Sequence, residues 1–283
     1  MSPELKEIEG EDTQKKSAQE QINGFERDKA ISEFMNRLNH NLAESLILDL
    51  GCGRGVISLP LSKQVKWVIG VDSDKETIRA THSKTQKLNR DNFFTILGSA
   101  TNIPVKSDYV DFALIIGVLE WVPRSKPYED PESTQIEALR EVGRILRRRG
   151  RLLLAIENRY YLRYWLGLTD HHSRLKFVPV LPRKIADFIS RRRKGEPYLN
   201  RTYSYFELKN LLRKAGFRTL KICLGIPDYV FAEEIVDIDD KDEINEKINS
   251  VRQSKSRKIA WRTINRLGLM KFLCSNFIVA CQK

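Results

Sequence analysis

Three glycines at alternate positions, Gly51, Gly53 and Gly55, follow the stretch "LILDL" and stand just after Asp49. A loop that sheds side chains every second residue suits a ligand resting against bare backbone. A second acid, Asp72 in "VIGVDSD", closes the next apolar stretch, where a carboxylate can take both hydroxyls of a ribose. Farther on, "GLTDHHSRL" sets Asp170 beside His171 and His172. An imidazole oriented by an Asp is a general base for a hydroxyl nucleophile, worth about 10²–10⁴ in rate. Glu120, in "VLEWV", is a further candidate, as base or as ligand of an amine. The paired histidines lack the additional Cys/His spacing of a zinc centre, so no metal is expected. The loop also departs from the dinucleotide pattern G-x-G-x-x-G, whose third glycine would fall on Val56.

Elements that would hold these residues are legible as alternating apolar strands and amphipathic helices. Strands are predicted at Leu46–Leu50, Val65–Val71, Phe93–Leu97, Val110–Ile116, Leu152–Ile156, Thr219–Leu224 and Asn276–Cys281. The first five are nearly continuously apolar, as strands covered on both faces must be. Ser73 and Glu76 have capping-box spacing at the start of one helix, and Ser204 precedes another that places Leu208, Leu211, Leu212 and Ala215 on one face. Between the fourth and fifth strands, Ile136, Leu139, Val142 and Leu146 form a helical stripe, with Gly150 as its stop. Ile31, Phe34, Met35 and Leu38 share a face of an earlier helix. This alternation predicts an α/β fold with a mostly parallel sheet.

Residues 1–16 are polar and unpatterned and read as a disordered tail, leaving 17–283 as a single domain. Two segments break the alternation, 157–203 and 225–275. Both leave from carboxyl ends of strands, so both are expected as helical insertions over the rim where ligands of open α/β sheets bind.

The chain carries a formal net charge of +12 over 283 residues, concentrated in "RILRRRGR", "RRRKG" and "RQSKSRK". Such clusters suit nucleic acid, an anionic membrane surface or a phosphorylated substrate, and equally a solvated basic face. Four cysteines without a CxxC pair point to a reducing cytoplasm.

The stretches "LDLGCGRG", "VIGVDSD", "LGSATNIPVKSDYVDFALIIGVLEWV" and "LREVGRILRRRGRLLLAIEN" occur in that order. Together they resemble the motifs of the class I S-adenosylmethionine-dependent methyltransferases. The resemblance implies a Rossmann-like seven-stranded sheet flanked by helices, its last strand antiparallel, with S-adenosylmethionine bound across the first strands. By motif match Asp49, Gly51, Cys52, Gly53 and Gly55 would line the methionine and ribose part. Asp72 would hold the ribose hydroxyls, Ser73 would lie beside the adenine, Ser99 and Ala100 at its edge, and Gly117 by the methyl group. Two departures stand out. Ser99 replaces the acid that accepts from the adenine amine, and Trp121 stands where members often carry histidine. The indole is either packed in the core or a wall facing the sulfonium.

Methyl transfer fits the candidate bases, because a hydroxyl acceptor must lose a proton. "ENR…YWLG…DHH" is similar to bacterial methyltransferases of surface polysaccharides and glycoconjugates, which implies a glycan or lipid-linked sugar as acceptor. Arg159 and Arg163 interleave with Tyr160, Tyr161, Tyr164 and Trp165. These residues either stack on sugars and pair with phosphates or form an apolar helical face with Leu168. Three rivals remain open: methylation of RNA ribose, methylation of a small metabolite, and a cofactor-binding module without turnover. Base-amine methylation is disfavoured, since "IIGVLEWV" stands where a [DNS]-P-P-[YF] motif would be.

Overall fold

The computed structural model describes residues 29–38, 41–251 and 253–283, so the tail predicted over residues 1–16 lies outside the described residues. In chain order the elements are α1 (29–37), β1 (Leu46–Leu50), α2 (Ser58–Leu61), β2 (Trp67–Asp72), α3 (Lys75–Lys87), β3 (Phe93–Leu97), β4 (Val110–Ile116) and α4 (Pro131–Ile145). There follow β5 (Leu146–Glu157), α5 (Leu162–Trp165), α6 (Arg183–Lys194), α7 (Tyr205–Lys214), β6 (Arg218–Ile226) and β7 (Glu234–Asp237). The chain closes with α8 (Lys241–Ser250), α9 (Lys255–Arg266), α10 (Met270–Leu273) and β8 (Asn276–Gln282).

One eight-stranded sheet runs β3-β2-β1-β4-β5-β8-β6-β7. The strands from β1 to β5 pair in parallel, and β8 lies antiparallel between β5 and β6. All five residues of β1 are buried, Asp49 included, because helices cover both faces of the sheet centre. Ile31, Phe34 and Met35 of α1 are buried on one of those faces with Ile47 and Phe112.

The sheet has eight strands rather than the expected seven. The added strand, β7, comes from the segment 225–275 and pairs with β6 from Cys223↔Asp237 to Ile226↔Glu234. That segment therefore does not simply rise over the rim. After the turn at Tyr229 it returns along the sheet, and α8 and α9 bury Ile244, Ile248, Trp261 and Ile264 in the same core as Leu50 and Leu154. The segment 157–203 does form a cap, closed at its base by a bridge between Asn158 and Tyr203 and carrying a small core of Val178, Ala186 and Tyr198.

Two helix ends differ from expectation. Asp74, not Ser73, caps α3, its carboxylate accepting from Thr77 N at 2.8 Å. Gly150 does not stop α4, which ends at Ile145 and passes directly into β5 with Gly150 inside the strand. The reason is register: Leu146 already pairs with Val110, and Arg147 bonds Asp111 at 2.7 Å, so the sheet captures the chain at the helix end. For α7 the Ser204–Glu207 capping box forms as read.

At the end of the ladder between β6 and β8 the side chain of Asn276 replaces a strand partner. It donates to Gly225 O at 3.0 Å and accepts from Gly225 N at 2.9 Å, where a Cβ on residue 225 would lie 3.1 Å from its Oδ1. Removing the amide strands two buried backbone groups. Asn276→Ala is expected to lower unfolding free energy by about 2–4 kcal/mol with an unchanged denaturant slope. A smaller loss in urea melts would show that water substitutes for the amide.

Candidate functional site

The glycine loop owes its composition first to backbone conformation. Gly51, Gly53 and Gly55 have φ of +74°, +51° and +71°, a region that costs residues with a Cβ about 1–2 kcal/mol each. Close approach matters most at Gly51, where a Cβ would sit 2.4 Å from Val118 Cγ2 and close the space between the ends of β1 and β4. At Gly53 a Cβ would meet open space. The loop is tied to β2 three times. Gly51 N and Cys52 N donate to Val71 O, and Gly53 N donates to Asp72 Oδ2 at 3.0 Å. Thr81 of α3 donates to Gly53 O at 2.7 Å.

Beside this loop lies a crevice of about 490 Å³. Gly51, Asp72, Ser73, Ser99 and Ala100 line it, with Val118, Trp121 and Arg124 on the opposite side. The crevice falls within the size range of ligand pockets and pairs apolar walls with a few polar groups. Asp72 uses one lone pair of Oδ2 on Gly53 and one of Oδ1 on Asp74 N, at 2.9 Å. Each oxygen of a carboxylate retains acceptor capacity, which suits a ribose diol. Ser99 Oγ is shared with Thr101 Oγ1 at 3.1 Å. Its loop is fixed from below by Arg144, which donates to Ile103 O and Val105 O while pairing with Glu141 at 2.9 Å.

The structure places other sequence-predicted residues outside the lining. Asp49 is buried under the loop and accepts a hydrogen bond from Ser58 of α2. Cys52 is buried against Gly70, and burial pushes its thiol far above the usual range, so it is no nucleophile. Gly53 and Gly55 shape the loop from behind. Gly117, with φ +68°, packs under Tyr229, whose Cε2 would lie 3.0 Å from a Cβ there.

Trp121 is a wall and not a core residue. It is 42 % exposed on the crevice, with Arg124 5.6 Å from its ring centroid. Its other edge meets His172, ring centroids 4.9 Å apart in a T-shaped arrangement. Behind it the cap and the end of β5 bring together Glu120, Glu157, Asp170, His171 and His172. Glu157 is the residue that sequence reasoning missed. It ends β5, and its Oε1 lies 3.3 Å from His171 Nε2 while its Oε2 lies 3.4 Å from His172 Nε2. The expected Asp–His pairing is replaced by this Glu–His contact. Asp170 instead accepts from the backbone N–H of His172 and Ser173, at 3.2 and 3.1 Å, which turns the loop so that both rings face Glu157. The only sequence signal for Glu157 was an acid closing the fifth apolar strand.

Tyr164 is buried and donates to Glu157 Oε2 at 2.8 Å. Trp165 is exposed and α5 spans four residues, so the predicted stripe of Tyr161, Tyr164, Trp165 and Leu168 does not form one face. Arg159 is buried and spends its guanidinium on Glu207, Pro179 O and Leu181 O, which removes it from ligand binding.

Electrostatics in this group are set by burial. Burial pushes the Glu120 carboxyl up to about 7, partly opposed by His172. Tyr229 donates to Glu120 Oε1 at 3.3 Å, and Oε2 has no hydrogen-bond partner. Burial also opposes charge on Glu157, but His172, His171 and Tyr164 outweigh it and hold that carboxyl below the ordinary range. His172 is held above the ordinary imidazole value: burial lowers it, and Glu157, Glu120 and Asp170 more than compensate. Glu157, Asp170, His171 and His172 each offer a donor atom within 4.8 Å of the others, a grouping that could hold a metal ion. Adjacent-residue spacing could not reveal it because the fourth donor comes from β5.

The sheet order, the glycine loop and the acid closing β2 define the Rossmann-like methyltransferase fold. Residues 48–154, which run from β1 into β5, match the methyltransferase domain family. The chain is 31% identical over 112 residues to the Bacillus subtilis methyltransferase YcgJ, a match covering 40% of each protein. It spans less than half the length of the curated relatives it matches. Among solved structures it is similar in fold to a SAM-dependent methyltransferase from Aquifex aeolicus, with a TM-score of 0.50, 16% identity and 88% of both chains covered. It is likewise similar to geranyl diphosphate C-methyltransferase from Streptomyces coelicolor, solved with Mg²⁺ and S-adenosyl-L-homocysteine, with a TM-score of 0.52, 16% identity, and 90% of this chain and 78% of that one covered. Residues 48–154 thus match a methyltransferase domain, and the chain has the Rossmann-like fold of S-adenosylmethionine-dependent methyltransferases.

Glu120 makes stability depend on pH. Its folded-state value of about 7 lies above the ordinary 4.5, so the native state keeps a proton that the unfolded chain has lost. The stabilisation is complete at acidic pH and disappears as pH rises through 7. Glu120→Gln should therefore gain stability relative to the parent on going from about pH 5 to about pH 8, by on the order of 3 kcal/mol. Denaturant midpoints at both pH values check this, and parallel curves for the two proteins would contradict it.

Proposed function

We propose that the protein transfers a methyl group from S-adenosylmethionine to a hydroxyl on a glycan or lipid-linked sugar. The observation that carries this reading is the cluster of imidazoles and carboxylates on the far side of Trp121 from the crevice. A hydroxyl is a weak nucleophile until it surrenders its proton, and such a cluster can receive it. When bound, the cofactor supplies an electrophilic methyl on a sulfonium centre. The chain's part is to hold and orient. Asp72 grips the ribose, Ser73, Ser99 and Ala100 meet the base, and the loop backbone at Gly51 leaves room for the remainder. Trp121 offers its ring toward the positive sulfonium, an attraction of about 0.5–2 kcal/mol. Glu157 orients both histidine rings, and the exposed side of His171 is the approach for the acceptor. Glu120 and Tyr229 close the cluster from beneath and exclude water.

A large acceptor is supported by a second concavity of about 740 Å³, whose lining includes Tyr128, Tyr198, Arg183, Arg191 and Arg201. Arg124 joins it to the crevice, lining the one and contacting Glu196 of the other at 3.5 Å. Arginines and tyrosines together suit a phosphorylated sugar. Helix α6 carries Lys184 and Arg191 to Arg193, with Ile185 and Phe188 exposed, which supports contact with an anionic membrane at its cytoplasmic face. No helix among the described residues is long and apolar enough to cross a membrane. The same basic surface would serve RNA, so the acceptor assay must include it.

Radiolabelled methyl transfer into separated lipid, polysaccharide and RNA pools tests the reading. Label in base-stable lipid or polysaccharide supports it, and label confined to RNA overturns it. Two variants should dissociate binding from chemistry. Asp72→Asn is expected to weaken cofactor binding about 10- to 150-fold by calorimetry, the loss of a charge-assisted pair of hydrogen bonds. His171→Ala should keep cofactor affinity and lower kcat by roughly 10²-fold or more.

A further inference from the structure

Two histidines and two carboxylates converge where β5 meets the cap, and one of the four, His172, lacks a hydrogen bond. The His172 side chain is only 2 % exposed and faces Glu157, yet neither of its ring nitrogens has a hydrogen-bond partner. A buried imidazole without a bond costs about 1–3 kcal/mol. Glu157 and Asp170 bring two carboxylates to the same spot as the two imidazoles.

We propose that Glu157, Asp170, His171 and His172 bind a divalent transition-metal ion of the zinc or manganese kind. Ligands about 2.1 Å from such an ion stand roughly 3.4 Å apart when tetrahedral. Glu157 presents one oxygen to each ring, Oε1 to His171 Nε2 at 3.3 Å and Oε2 to His172 Nε2 at 3.4 Å, so each imidazole already stands at that spacing from a carboxylate oxygen. The full set lies within 4.8 Å, so closing the widest pair to that edge takes a side-chain movement of at most about 0.7 Å per ligand. Mixed nitrogen and oxygen donors favour this class of ion over calcium, which takes oxygen alone. Outer contacts of the kind that fix metal ligands are in place: Tyr164 holds Glu157, and the N–H groups of His172 and Ser173 hold Asp170. His171 is 55 % exposed, leaving that side open for one or two oxygen ligands from outside. Those positions would take a hydroxyl with a neighbouring hydroxyl or phosphate oxygen, and this last step rests on the acceptor reading above. Ion binding itself does not.

Tag-free full-length protein, stripped with chelator, should take up one Zn²⁺ per chain by calorimetry in the absence of cofactor. Co²⁺ should give the ligand-field absorption of a low-coordinate nitrogen and oxygen site. His171→Ala, on the exposed side, and the isosteric Glu157→Gln should each weaken uptake roughly tenfold or more with unchanged circular dichroism. Failure of the parent chain to bind, or uptake that both variants retain, overturns the proposal. Asp72→Asn should retain the ion while losing cofactor. An ion that binds to a chain that never binds S-adenosylmethionine would sink the methyltransferase reading and leave the metal site standing.

Discussion

A single carboxylate organises the crevice. Asp72 closes β2, accepts from Gly53 across the neighbouring strand end, and accepts from Asp74 at the start of α3. Without the first bond the glycine loop would lose its tether to β2 at the point where its backbone turns left-handed. Without the second, the helix would not begin in time to set Thr81 under Gly53. The same group then offers its remaining lone pairs to the space where a ribose would lie. Structure and binding share one side chain because the ends of adjacent parallel strands are the only place where a loop, a helix start and a ligand can meet.

The positive charge that dominates the composition serves several ends. Part of "RILRRRGR" is architectural: Arg144 pins the loop bearing Ser99 and Ala100, Arg147 pairs with Asp111, and Arg151 donates to Leu38 O. Arg159, which reads in sequence as a ligand, is consumed within the cap. The run on α6 keeps several guanidinium groups at the surface, at a helix C-terminus where the macrodipole favours them.

Against this basic background the buried acidic cluster is conspicuous. Carboxylates gathered out of water raise one another's cost, as Glu120 shows. A fold tolerates such a group when a counter-charge or a reaction makes use of it. Trp121 lines the crevice and meets His172 of the cluster edge-on, ring centroids 4.9 Å apart, so the two sites are neighbours.

Much of the centre of the sheet was legible in the chain. The predicted limits of β1, β3 and β4 match the structure: β1 and β4 are covered on both faces and so nearly apolar throughout, while β3 lies at the sheet edge with Phe93 alone buried. The short edge strand β7, "EIVD", offers no such run, and its pairing depends on β6 being alongside. Gly150 misled as a helix stop because the register with β4 ends the helix earlier. Spacing pointed to the glycine loop and Asp72, and the motif resemblance to Ser73 and Ser99; Gly51 and these three line the crevice because they lie within a few residues of strand ends. The partner of the histidines was decided by tertiary structure alone. Glu157 and His172 are joined by a cap whose path depends on a bridge between Asn158 and Tyr203, and no local pattern encodes a contact made by closing a loop of that length.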